Sequence, residues 1–208
     1  MVKQVRAERT RQALIAAAAA EFDRQGYAGT SLSAVHRACG MTMGALSFHF
    51  PTKAELARAV VQEAEGITRE ALTLITPACP VHPVAAFTLA LARLLDEEVS
   101  VRAAARLTHE QALPSLWPAL WRTALRELVA TVGGRPGPGP DTGELELLAV
   151  YLTAGAEASL RAGNTGEEVR AQLECLWSLV LAPSPGPASQ GLPPSTDERP
   201  VGAASAPN

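Results

Sequence analysis

The chain has 208 residues, enough for one well-buried core or for a small module joined to a larger domain; 47% of it is hydrophobic but only 4% aromatic. Its formal net charge of -3 gives no uniformly basic surface, and Cys39, Cys79 and Cys175 are too widely spaced, and too few, for a disulfide framework or a zinc site. No uncharged apolar window reaches the roughly 18 residues of a spanning helix, and the run MVKQVRAERTRQ enters an Ala-rich stretch broken by Glu21, Asp23 and Arg24, so neither a membrane segment nor a signal peptide is expected.

The apolar residues are mostly Ala, Leu and Val without long β-branched runs, and this favours helices throughout. Between Arg9 and Gln25, Leu14, Ala18 and Phe22 recur at i, i+4, i+8, and Gly26 follows as a stop. Thr30 or Ser31 caps a short second helix in which Leu32, Val35 and Cys39 share a face before Gly40 ends it. Thr42 caps a third short helix reaching about His49. Pro51 interrupts, and Thr52-Lys53-Ala54-Glu55 has the spacing of a capping box for a long fourth helix carrying Leu56, Val60, Ala64, Ile67, Ala71 and Leu74. Pro77 and Pro80 stop it.

A fifth helix starts at Pro83 with Phe87, Leu91, Leu94 and Leu95 in one stripe, and a sixth is predicted over Val101 to Gln111. Pro114 separates that from a segment carrying Leu116, Leu120, Ala124, Leu128 and Val132. Residues 135–143, RPGPGPDTG, read as a loop. Helices eight and nine are expected over Glu144 to Ala162 and Glu167 to about Leu181. The remaining Pro- and Gly-rich stretch, 183–208, has no apolar period and is expected to be disordered.

Charge is unevenly spread over this plan. Residues 1–55 carry seven Lys and Arg against four Asp and Glu, a net +3, and the remainder carries -6. A basic head on an acidic body suits DNA, although a solvated charged face gives the same count. Two short helices joined by a Gly-containing turn and braced by a longer helix are the elements of a helix-turn-helix reader, and also of an ordinary all-α domain. In the first reading Thr42, Gly44 and Ala45 keep the start of the third helix small enough for the major groove. Thr42 then holds a phosphate, Ala45 or Phe48 packs on a thymine methyl, and His49 and Lys53 lie near the backbone.

The run GYAGTSLSAVHRACGMTMGALSFHFPTKAELARAVV resembles the N-terminal signature of TetR-family repressors, and among them the γ-butyrolactone receptor group. Phe22, Gly26, Tyr27, Thr30, Gly40, Thr42, Gly44-Ala45-Leu46, Phe48-His49-Phe50, Lys53 and Leu56 carry the resemblance, over roughly residues 6 to 62. It implies an all-α fold with a three-helix helix-turn-helix domain at 1–51 and a helical ligand-binding and dimerisation bundle at 52–182. The implied DNA-contacting set is Arg9, Ser31, Thr42, Met43, Gly44, Ala45, Ser47, Phe48, His49 and Lys53, supported by Arg11. Two positions depart: Met43 stands where the family usually has Lys, and Ser47 where it usually has Tyr, so one cationic phosphate contact is lost.

Further along, Pro114-Ser115-Leu116-Trp117-Pro118-Ala119-Leu120-Trp121 resembles the segment in which a Trp closes the receptors' ligand pocket. Trp121 matches best by position and Trp117 precedes it by one turn; a pair of core tryptophans has the same spacing. Phe87, Gln111 and Tyr151 are the other pocket candidates. Ala154, Gly155, Ala156 and Ala158, with Leu173, Leu176, Trp177 and Val180, offer material for pairing with a second copy.

The expectation is thus a cytoplasmic homodimeric repressor of a palindromic operator, released by a small γ-butyrolactone, butenolide or furan signal and controlling secondary metabolism. It needs no cofactor and no metal. The alternative is a ligand-binding relative with weakened DNA binding. An enzyme is disfavoured: phosphate-loop, HExxH and GxSxG motifs are missing, His36, His49, His82 and His109 lack metal spacing, and His109 and Glu110 point about 100° apart on a helix.

Overall fold

The computed structural model describes residues 2–75, 82–111, 117–132 and 141–181, which form nine helices. They are α1 (Val2–Gly29), α2 (Leu32–Cys39), α3 (Met43–His49), α4 (Lys53–Thr73), α5 (Pro83–Glu97), α6 (Val99–His109), α7 (Trp117–Val132), α8 (Thr142–Arg161) and α9 (Gly166–Leu181). The expected stops at Pro77, Pro80 and Pro114, the first six residues of the 135–143 loop, the 183–208 tail and Cys79 lie outside the described residues. None of the described helices is long and apolar enough to cross a membrane.

The helices follow the apolar period, with corrections at their ends. The first helix begins at Val2 rather than Arg9, and its break falls at Gly26, which has φ 71° and ψ -179°. The positive φ favours glycine there, and a Cβ would also collide with the Glu110 carboxylate. At α4 the Thr52 hydroxyl accepts the Glu55 amide at 3.2 Å. The full reciprocal box forms instead at α8, where Asp141 accepts the Glu144 amide at 2.8 Å and Glu144 accepts the Asp141 amide at 2.9 Å. This cap starts α8 at Thr142, two residues before the expected start, inside the segment expected to be loop.

Leu14, Ile15, Ala18 and Phe22 bury the inner stripe of α1 against Val35, Leu46 and Phe50 and against Leu56, Val60 and Ala64 of α4. Burying a side chain such as Phe22 contributes about 1.5–3 kcal/mol. The same core runs on without a gap through Val101, Ala104 and Leu107 of α6 to Leu91 and Leu95 of α5 and Leu125 of α7. α1 packs on α6 as well as on α2 and α4, so the N-terminal helices are seated directly on the larger body. On the far side α5 packs against α8 and α9, where the buried Trp177 indole donates to Thr88 Oγ1 at 2.7 Å.

Candidate nucleic-acid interface and effector cavity

α2 and α3 are fixed by short-range bonds at both ends of their turn. The Ser31 hydroxyl accepts the Ala34 amide at 3.1 Å and the Thr42 hydroxyl accepts the Ala45 amide at 3.2 Å. Between them Gly40 adopts the left-handed conformation, φ 67° and ψ 17°, and the Met41 amide closes on the His36 carbonyl at 3.2 Å. Leu46 and Phe50 then anchor α3 in the core, with the Arg11 guanidinium 5.5 Å from the Phe50 ring centroid.

This anchoring leaves Thr42, Met43, Gly44, Ser47 and Phe48 facing solvent, Phe48 being 81% exposed. Ala45 and His49 are half-buried, and His49 meets the Phe48 ring edge-on at 5.2 Å. Arg9 is exposed on α1, and Ser31 is exposed at the start of α2. Lys53 is placed differently from the expected phosphate contact. Its ammonium donates to the Tyr27 carbonyl at 2.8 Å and the Thr30 carbonyl at 3.0 Å, and lies 4.3 Å from the centroid of the Tyr27 ring. A lysine ammonium has three protons, and with two of them held here Lys53 ties the end of α1 to α4.

The body holds a cavity of about 750 Å³ between α4, α5 and α7. Leu72, Ile75, Phe87, Leu120, Ala124 and Leu128 make its apolar wall, while Glu65, Arg69 and Thr73 from α4 face Thr123, Glu127 and Thr131 from α7. Of the expected pocket residues, Phe87 lines this cavity. Trp117 and Trp121 are buried in the core in edge contact, with ring centroids 6.2 Å apart. Trp117 donates to Thr68 Oγ1 at 2.9 Å. The Trp121 indole nitrogen is buried without a hydrogen-bond partner among the described residues, and Arg122 lies over its ring at 5.3 Å.

Gln111 and Tyr151 fall outside the cavity lining. Gln111 is exposed just past α6 at φ 49°. α8 buries Leu145, Ala149, Thr153 and Ala156, and Tyr151, two residues from Ala149, projects from the opposite side and is 68% exposed. The polar lining stripes, at i, i+4, i+8 on both α4 and α7, were the readable signal for the cavity.

A third feature joins head to body. Asp23 of α1 accepts Arg102 Nε at 2.9 Å, and its carbonyl accepts Arg106 Nη1 at 2.6 Å. Glu110 accepts the Tyr27 amide at 2.7 Å and Arg106 Nε at 2.9 Å. Burial works to raise the Glu110 pKa, but the Tyr27 and Arg106 hydrogen bonds and the charges of Arg106 and Arg161 outweigh it and hold the carboxyl below the usual range. Sequence reasoning missed this cluster because its members lie some eighty residues apart. On the outer side, Leu147, Tyr151, Leu176 and Leu179 are exposed, and so are Ala154, Gly155 and Ala158. Ala156, Leu173 and Trp177, grouped with them by sequence, are buried within the chain.

Residues 14–60 match the family model of bacterial regulatory proteins, tetR family. The chain is 41% identical over 63 residues to the A-factor receptor protein of Streptomyces griseus, a stretch covering 30% of this chain and 23% of that relative. Among solved structures, the TetR family protein CprB from S. coelicolor A3(2) is 26% identical with a TM-score of 0.66, over 82% of this chain and 86% of that one. A γ-butyrolactone receptor described as ArpA-like is 25% identical with a TM-score of 0.63, over 83% of this chain and 99% of the other.

Proposed function

From a chain that is a TetR-family protein related to the γ-butyrolactone receptors, we infer a ligand-responsive transcriptional repressor that binds a palindromic DNA operator as a homodimer. The observation that carries this reading is α3. It is capped at Thr42 and anchored by Leu46 and Phe50, and it holds Thr42, Met43, Gly44, Ser47 and Phe48 outward toward solvent. A short helix presented this way fits a major groove. Arg9 and Ser31 add backbone contacts at its flanks. Residues 1–51 act as the DNA-reading unit and 52–182 as the effector and pairing unit.

The cavity between α4, α5 and α7 is the effector site. Its volume and its mix of an apolar wall with threonine and charged groups suit a small amphiphilic signal of the lactone, butenolide or furan kind. The exposed α8 and α9 stripe, Leu147, Tyr151, Leu176 and Leu179 around Ala154, Gly155 and Ala158, pairs the two copies. Ligand entry favours a body conformation in which the two heads no longer match the half-site spacing. Kinship with the receptors supports target genes in secondary metabolism.

Selection of duplexes from a random library by the purified protein, with and without γ-butyrolactones and furans, tests the reading. One enriched palindrome, lost when a ligand is added, is the expected result; no enrichment at low salt refutes it. A second reading, a ligand-binding relative with weakened DNA affinity, is favoured by the lack of any Lys or Arg from 38 through 52. It is the reading left standing if ligand binds while no duplex is enriched.

A further inference from the structure

Resting on the DNA-binding reading, we propose that α3 reads its operator by apolar contact, with Met43 and Phe48 packing on the C5-methyl groups of thymines. The exposed arc of α3 has a definite profile. At about 100° per residue, Met43, Ser47, Gly44 and Phe48 follow one another around the helix over about 140°, with the half-buried Ala45 and His49 and the core residue Leu46 filling the rest of the turn. The two small residues form the middle of the arc and the two large apolar ones form its edges. Gly44 and Ser47 let the helix axis come close to the base pairs, and the flanking side chains then reach to either side.

The chemistry of the arc excludes the usual alternative. Guanine is read in the major groove by Arg or Lys on O6 and N7. There is no Lys or Arg from 38 through 52, and Lys53 is bound to the Tyr27 and Thr30 carbonyls. The thymine methyl is the apolar group the major groove offers. Met43 is flexible enough to settle on it, and Phe48, 81% exposed and braced edge-on by His49, presents a flat apolar face. Ala45, the other small apolar residue of α3, is half-buried toward the core and takes no part.

The test uses the full chain and the duplex it enriches from a random library, made once with thymidine and once with deoxyuridine, which differ by the methyl group alone. Anisotropy titrations are expected to show about a 4-fold loss per contacted methyl, the factor to which about 0.8 kcal/mol per buried carbon converts, and about 15-fold for one methyl in each half-site. The double variant M43A/F48A, altered only at solvent-facing positions, should bind both duplexes alike. M43K should make the salt dependence steeper by about one unit per head. An enriched duplex bound equally with either base overturns the proposal while leaving the repressor reading intact. Uracil sensitivity that persists in M43A/F48A also overturns it, since the effect then comes from DNA shape. The absence of any enriched duplex overturns both.

Discussion

Replacing Glu110 by Gln keeps the side chain's size and removes its charge at the point where α6 holds the break in α1. The carboxylate accepts the Tyr27 amide at 2.7 Å and Arg106 Nε at 2.9 Å. Charge-assisted bonds of this kind contribute about 1.5–3 kcal/mol when shielded. Glu110 keeps 33% of its side chain exposed, and solvent screening brings the expected loss for E110Q to about 1 kcal/mol. For a chain of this size that lowers Tm by about 2–4 °C. The pH dependence is more telling than the shift. The folded pKa of Glu110 is depressed, so its contribution is fully present above the unfolded value of about 4.3 and is lost as pH falls through the folded value. Thermal unfolding of both proteins at equal protomer concentration should therefore show the gap near pH 7 and its closure below about pH 4. A gap that is absent at neutral pH, or that stays constant into acid, refutes the assignment of Glu110 as an ionised clasp.

T88V removes the oxygen that accepts the Trp177 indole proton at 2.7 Å and leaves a buried donor without a partner. The expected cost is about 1–3 kcal/mol, read by urea unfolding, and W177F in the T88V background should add less than it does alone. Ala124 faces the cavity between α4, α5 and α7 that is proposed as the effector site; A124W should leave operator binding within about 2-fold while abolishing release by ligand, since the added ring occupies the space the ligand needs. Retained release by the same ligand locates the effector elsewhere.

Elements with a clean apolar period were legible in the residues: Leu14, Ala18 and Phe22 marked the buried face of α1, and Thr42 and Gly40 marked the turn before α3. These signals are local, and local chemistry caps helices. The chemistry of Lys53 was not legible, because its carbonyl partners lie 26 and 23 residues away across a tertiary contact. Tyr151 and Gln111 were chosen as polar or aromatic groups on apolar helices. The phase of burial on α8 turns Tyr151 outward, and the end of α6 leaves Gln111 beyond the wall. The tryptophans Trp117 and Trp121 carry the apolar bulk expected of a pocket but spend it on the core, while Glu65, Arg69 and Glu127 line the space.

α4 begins at Lys53, whose ammonium grips the head, and ends among the residues that line the cavity. At about 1.5 Å per residue its 21 residues span about 32 Å. Arg69 and Leu72, on the cavity, stand about 24–28 Å from Lys53 along that axis. The helix is thus a lever pivoted at its cavity end, with Lys53 at the tip of the long arm. A tilt of about 6° about that end carries Lys53 sideways by roughly 2–3 Å, on the rise per residue above. In the proposed symmetric pair two such arms double the change in separation, so on that reading a tilt of a few degrees at the cavity end is enough to throw two reading heads out of step with a turn of DNA.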